Sequence, residues 1–138
     1  MGAVKQCQIE EMDRDSFKEM MRNMIDSCPG LCYEGWHYVG KNRSDFEDSR
    51  IELYDKEKEV RTVVNYLFFF PAPKGRRGGG SYGFKHDVEQ WAKQKYGEPQ
   101  YIGNGSGILG ALMSGYIPKR HNLSPNCGFT KSVTGEIR

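Results

Sequence analysis

The residues best suited to chemistry lie in one stretch, PAPKGRRGGGSYGF, residues 71–84. Lys74, Arg76 and Arg77 precede a run of glycines, and a patterned helix follows. Where a chain enters a helix, several N–H groups lack intrahelical partners, and the helix dipole adds partial positive charge. Glycines let the backbone curl those amides around an anion, and arginines add charge-assisted contacts. The chemistry expected is phosphate or pyrophosphate binding by Arg76, Arg77, Gly78, Gly79, Gly80 and Ser81. A disordered basic tether and a long hairpin loop without a ligand are the competing readings.

Other chemistry-bearing residues are sparse. Cys7, Cys28, Cys32 and Cys127 read as free thiols, because no secretory signal precedes them. Cys28 and Cys32 flank a Pro-Gly turn, and a zinc site from Cys28, Cys32, Cys127 and His121 is the metal alternative. Asn42, Asn104 and Asn122 each begin an N-x-S triplet, a pattern that matters only in a secreted chain.

The elements that must position the loop follow from periodicity. Phe17, Met20, Met21, Met24 and Ile25 fall at i, i+3, i+4, i+7 and i+8, which predicts a helix from about Asp15 to Ser27. Ser16 and Glu19 have capping-box spacing, and Pro29-Gly30 stops the helix. QCQIEE (6–11), LCYEGWHYVG (31–40), SRIELYD (49–55) and EVRTVVNYLFFF (59–70) read as strands, the last three in an antiparallel meander. FKHDVEQWAKQKYG places Phe84, Val88, Trp91 and Ala92 on one helix face, with Gly97 at the C-cap. That face predicts Trp91 packed against the sheet. EPQYIGN reads as a further strand, and GSGILGALMSGY as a short helix with Ile108, Leu109, Leu112 and Met113 inward. The order β-α-β-β-β-α-β-α is an α+β arrangement, in one domain over residues 1–138 with an ill-defined tail from 120.

Two phosphate motifs are excluded by context. Gly105, Gly107 and Gly110 make a G-x-G-x-x-G, but too little chain follows for a dinucleotide fold and no acid lies about twenty residues on. A P-loop is excluded because no G-K-[ST] occurs in the chain.

Lys plus Arg number 20 against 18 Asp plus Glu, a net of +2, so any basic surface is local. No window approaches the ~18 apolar residues of a membrane span, and the N-terminus lacks a signal-peptide core. A soluble cytoplasmic protein is the expectation.

The loop and its flanks resemble the GNAT acyltransferase superfamily. LFFFP is similar to that family's central strand end, Arg76-x-x-Gly79-x-Ser81 to its [QR]-x-x-G-x-[GA] signature, and DVEQWAKQKYG to the helix after it. IEEMDRDSFKEMMRNM resembles the first strand and helix, and IGNGSGILGALMSGYIPKR the later strand, helix and turn at Gly115-Tyr116. The resemblance covers about residues 8–119. It implies a mostly antiparallel mixed sheet flanked by helices, and acetyl-CoA as acyl donor. It implies that the loop holds the pyrophosphate and that Leu67, Phe68, Phe69 and Phe70 line the pantetheine arm through their main chain. Asn104 is added to the cofactor-binding set.

The activity implied is acetyl transfer to an amine, which needs positioning, a base for the amine and an acid for the thiol. The chain departs from the pattern at both usual catalytic places: Asn65 stands near the strand carboxylate and Ala111 at the helix tyrosine. Tyr66, Tyr101, Tyr116 and His37 are the remaining acid or base candidates, each of which also reads as a structural aromatic or surface histidine. A noncatalytic GNAT-fold protein is the alternative, such as a phage virion component or a host-enzyme inhibitor. A third reading uses KGRRGGG for nucleic acid, opposed by the low net charge.

Overall fold

The computed structural model describes residues 12–38, 40–73, 80–120 and 124–130. Asp13 starts the first helix, α1 (Arg14–Asp26), by accepting the Ser16 N–H at 2.8 Å. The cap is thus Asp13, and Ser16 and Glu19 lie inside the helix. Phe17, Met21 and Ile25 are fully buried, with Met20 and Met24 packed at the margin of the core. After Pro29-Gly30 come two short strands, β1 (Leu31–Cys32) and β2 (Gly35–Trp36), paired antiparallel with Leu31 opposite Trp36. Gly35 has a φ of 122°, a conformation that favours glycine.

The next two segments, expected as strands, are helices. Asn42 caps α2 (Arg43–Tyr54) by accepting from the Ser44 and Asp45 N–H groups, so NRSD is a helix start. From α2, the Arg50 guanidinium donates to the carbonyls of Ile25, Cys28 and Leu31 at 2.6, 2.8 and 2.9 Å. It thereby ties α2 to the last turn of α1 and to the turn that leads into β1.

The expected strand Val63 to Phe70 belongs to α3 (Glu57–Phe69). Val60, Val63, Val64 and Leu67 recur at i, i+3, i+4 and i+7, and all four are fully buried. That burial outweighs the strand preference of β-branched and aromatic side chains, which is a weak prior. Glu57 and Glu59 sit in the first turn, where carboxylates favour the helix dipole.

The two later helices match their sequence signals. α4 (Ser81–Tyr96) ends at Gly97, whose φ of 79° is the left-handed cap conformation. α5 (Asn104–Met113) is buried along its whole length. It packs against α3 closely enough that a side chain at Gly110 would meet the Val63 Cβ at 2.6 Å. The expected strand EPQYIGN (98–104) is instead an irregular segment held by side chains as far as residue 103, and Asn104 opens α5. The Glu89 carboxylate accepts from Ile102 N–H, the Glu59 carboxylate from Gly103 N–H, and Lys85 Nζ donates to the Ile102 carbonyl, each at 2.9 Å.

A second two-stranded sheet, β3 (Ile117–Arg120) with β4 (Cys127–Thr130), closes the described chain. The architecture is therefore α+β, with five helices and two small antiparallel sheets among the described residues. A central sheet of more strands is absent from those residues, because two of the expected strands are helical and a third is irregular. The expected strand at 6–11 lies outside the described residues. Among them, no helix is long and apolar enough to cross a membrane.

Candidate functional site

The loop singled out by sequence runs from the end of α3 to the start of α4. Lys74, Arg76, Arg77, Gly78 and Gly79 lie outside the described residues. Its two flanks are defined. On the α3 side Leu67 is buried in the core, while Phe68, Phe69 and Phe70 are 42%, 51% and 48% exposed. The resemblance implies that main-chain groups of these residues meet an extended arm, but a helix turns such groups along its own axis. Phe70 N–H, for one, donates to the Tyr66 carbonyl. What remains free to meet a ligand is the phenyl rings.

Those rings open a wider aromatic shelf. Phe68 meets Phe69 edge to face, Phe69 meets Trp91, and Trp91 meets Tyr96, with centroids 5.2, 6.0 and 6.4 Å apart. Lys95 Nζ stands 5.0 Å from the Phe69 ring and 5.1 Å from Trp91. Trp91 thus packs half-buried between helices, against Tyr66 and Phe69, and not on a sheet as its helix face predicts.

On the α4 side the helix begins after Gly80 with no side-chain cap and no acidic residue in its first turn. Gly80 is pressed against β4, so that a side chain there would meet the Cys127 carbonyl oxygen at 2.5 Å. Ser81 is fully buried, and its Oγ accepts the Cys127 N–H at 3.1 Å. Asn104, the first residue of α5, donates through Nδ2 to Asn126 Oδ1 at 2.9 Å and to the Glu34 carbonyl at 3.1 Å. It joins the hairpin loop to the segment before β4.

The four acid–base candidates do not converge. Tyr66 packs on Phe70, Phe84 and Trp91, and Tyr116 is buried in the same apolar cluster as Phe84. His37 stacks on Phe46, with its Nε2 3.3 Å from the Lys41 carbonyl oxygen. Tyr101 is 66% exposed.

A titratable cluster that sequence reading missed lies on the first half of α4. Glu89 Oε2 receives Lys85 Nζ at 3.2 Å as well as the Ile102 N–H, and Glu89 Oε1 lies 2.9 Å from His86 Nδ1. Lys85 is only 4% exposed, with its Nζ 4.5 Å from the Tyr101 ring and 5.5 Å from the Tyr82 ring. A carboxylate at Nδ1 fixes that nitrogen as the donor, so His86 Nε2 is left to accept or release a proton. The spacing K-H-x-x-E was the available signal, since i and i+4 share a helix face.

Cys28, Cys32 and Cys127 are free thiols, and burial raises the Cys127 thiol above its ordinary value, which keeps it protonated. His121, the fourth residue of the candidate zinc set, lies outside the described residues, among which no three His, Cys, Asp or Glu side chains gather. Compared with known proteins, the chain matches no family model, no curated protein and no solved structure at a significant level.

Proposed function

We propose that the chain binds an acyl-CoA at the loop between α3 and α4 and passes its acetyl group to an amine. One observation carries the reading: α4 is a 16-residue helix that starts with no side-chain cap and no first-turn acid, directly after Lys74, Arg76 and Arg77 in sequence. Such a start favours an anion through unpaired N–H groups and the helix dipole. The GNAT-like reading rests on Arg76-x-x-Gly79-x-Ser81 and the helix after it, and no longer on the strand before it. Within it, His86 is the base: the amine attacks the thioester carbonyl, a C–N bond forms as the C–S bond breaks, and His86 Nε2 takes the ammonium proton and passes it to the leaving thiolate. Acyl-CoA supply places the protein inside a cell.

The test is thermal melting with and without acetyl-CoA. A ligand that binds only the folded state raises the melting temperature by linkage. Gly79→Val adds a side chain where the phosphate must approach the backbone, so this variant loses the ligand shift. A full shift in Gly79→Val refutes the site.

A second reading, a noncatalytic interaction protein, is favoured by the exposure of Phe68, Phe69 and Phe70. It expects no acetyl-CoA shift in either protein.

A further inference from the structure

A groove lies along α3 at the other end of α4, away from the loop. It has a volume of about 610 Å³ and is lined by, among others, Arg14, Lys58, Thr62, Asn65, Tyr96 and Gln100. That volume falls in the range of small-molecule sites. It continues past Lys58, Thr62 and Gln100 into a second hollow of about 340 Å³ that ends at Tyr101 and Ile102.

Asn65 gives the groove its chemistry. Its Oδ1 is buried and has no hydrogen-bond partner among the described residues, a deficit that folded proteins rarely leave unmet. A side-chain amide pairs its donor and acceptor with the matching edge of adenine. A second amide, Gln100, and the Tyr96 ring share the lining. Tyr96 is 46% exposed and meets Trp91, which in turn meets Tyr66, the neighbour of Asn65. An open aromatic face suits a base by stacking.

The opposite end is cationic. Lys58 stands seven residues before Asn65 on α3, about 10 Å along the axis. Arg14 begins α1, whose N-terminus is capped by Asp13, and Lys58 lies in the first turn of α3. Arg14 is engaged by Glu57, which also holds Arg61, and Glu98 shares the lining. Lys58 is an exposed cation of that end, as is Arg14.

We propose that this groove binds an adenine nucleotide, the base between Asn65, Gln100 and Tyr96 and the phosphate at Lys58. The proposal does not rest on the acyl-CoA reading, because the loop cations precede the start of α4 in sequence, whereas the groove is lined by Tyr96 at its end. The test is calorimetric titration of the whole chain with AMP, GMP and adenosine. Wild type binds AMP at least tenfold tighter than GMP. Asn65→Leu weakens AMP and adenosine alike, whereas Lys58→Ala weakens AMP about tenfold, as loss of one charge-assisted contact implies, and leaves adenosine unchanged. Arg76→Ala/Arg77→Ala binds AMP as wild type does. If Asn65→Leu fails to fold, Gln100→Ala carries the same expectation. The proposal is overturned if wild type gives no AMP binding up to millimolar concentration, or binds GMP equally. Unchanged AMP binding in Asn65→Leu or in Lys58→Ala also overturns it, as does loss of binding in Arg76→Ala/Arg77→Ala.

Discussion

The Gly105 N–H donates to the Tyr33 carbonyl oxygen at 2.8 Å, which ties the first turn of α5 to the β1–β2 hairpin. There is no room at that junction for a side chain. A Cβ on Gly105 would meet the Tyr33 oxygen at 2.7 Å and press still harder on the Cys32 carbonyl, and both are backbone atoms. Gly105→Ala therefore costs stability despite the better helix propensity of alanine, by about 2 to 3 kcal/mol, as overpacking typically does. Urea denaturation checks this, with a melt equal to wild type counting against the packing described.

Tyr33 also supplies a pH dependence. Its hydroxyl donates to the Glu59 carboxylate at 3.0 Å, and burial together with that carboxylate raises the phenol above its ordinary value of 10.0. The folded state holds this proton while the unfolded state releases it above pH ~10. The contribution is thus fully present below that pH and lost as pH rises further. In Tyr33→Phe the group is absent, so the stability gap between wild type and variant narrows as pH rises from about 10 to 12. Parallel stability curves over that range would contradict the assignment.

Glu89 is the hub of the Lys85–His86 cluster. Glu89→Ala leaves Lys85 and the Ile102 N–H without their carboxylate, in a site where Lys85 is 4% exposed. A loss of about 3 kcal/mol is expected, the usual scale for breaking a buried pair. Adding Lys85→Met removes the uncompensated cation, so the double variant regains part of the loss. A double variant no more stable than Glu89→Ala speaks against a charge-pairing role.

Phe84 and Trp91 share a helix but differ in burial. Phe84 is fully buried, and Phe84→Ala is expected to cost about 3 to 5 kcal/mol. Trp91 is half-buried on the shelf with Tyr66 and Phe69, so Trp91→Ala should cost about 1 to 2 kcal/mol, a fraction of the buried-aromatic value. Equal losses in chemical denaturation would place Trp91 in the core after all.

These contrasts show where the sequence was legible. The helix of Phe17, Met21 and Ile25 and the helix ending at Gly97 carry a clear period and a cap, and both form close to the expected limits. The segment EVRTVVNYLFFF carries two signals at once. Its side chains suit a strand, while Val60, Val63, Val64 and Leu67 lie at helical spacing, and tertiary burial against α5 favours the latter. SRIELYD is the second half of a helix whose start signal, Asn42, lies upstream of the segment that reads as a strand. The Lys85–Glu89–His86 cluster was hidden for a different reason. Its third anchor, Ile102, lies 13 residues from Glu89, a contact that no local spacing announces.

In the function proposed above, the loop between α3 and α4 holds the phosphates of an acyl-CoA. Calorimetric titration of acetyl-CoA into wild type and Arg76→Ala/Arg77→Ala tests it most directly. Two charge-assisted phosphate contacts, each typically worth about 1.5 to 3 kcal/mol, are removed together, so at least a hundredfold loss of affinity is expected. Equal affinity in the two proteins, or no binding of acetyl-CoA by wild type, contradicts the account.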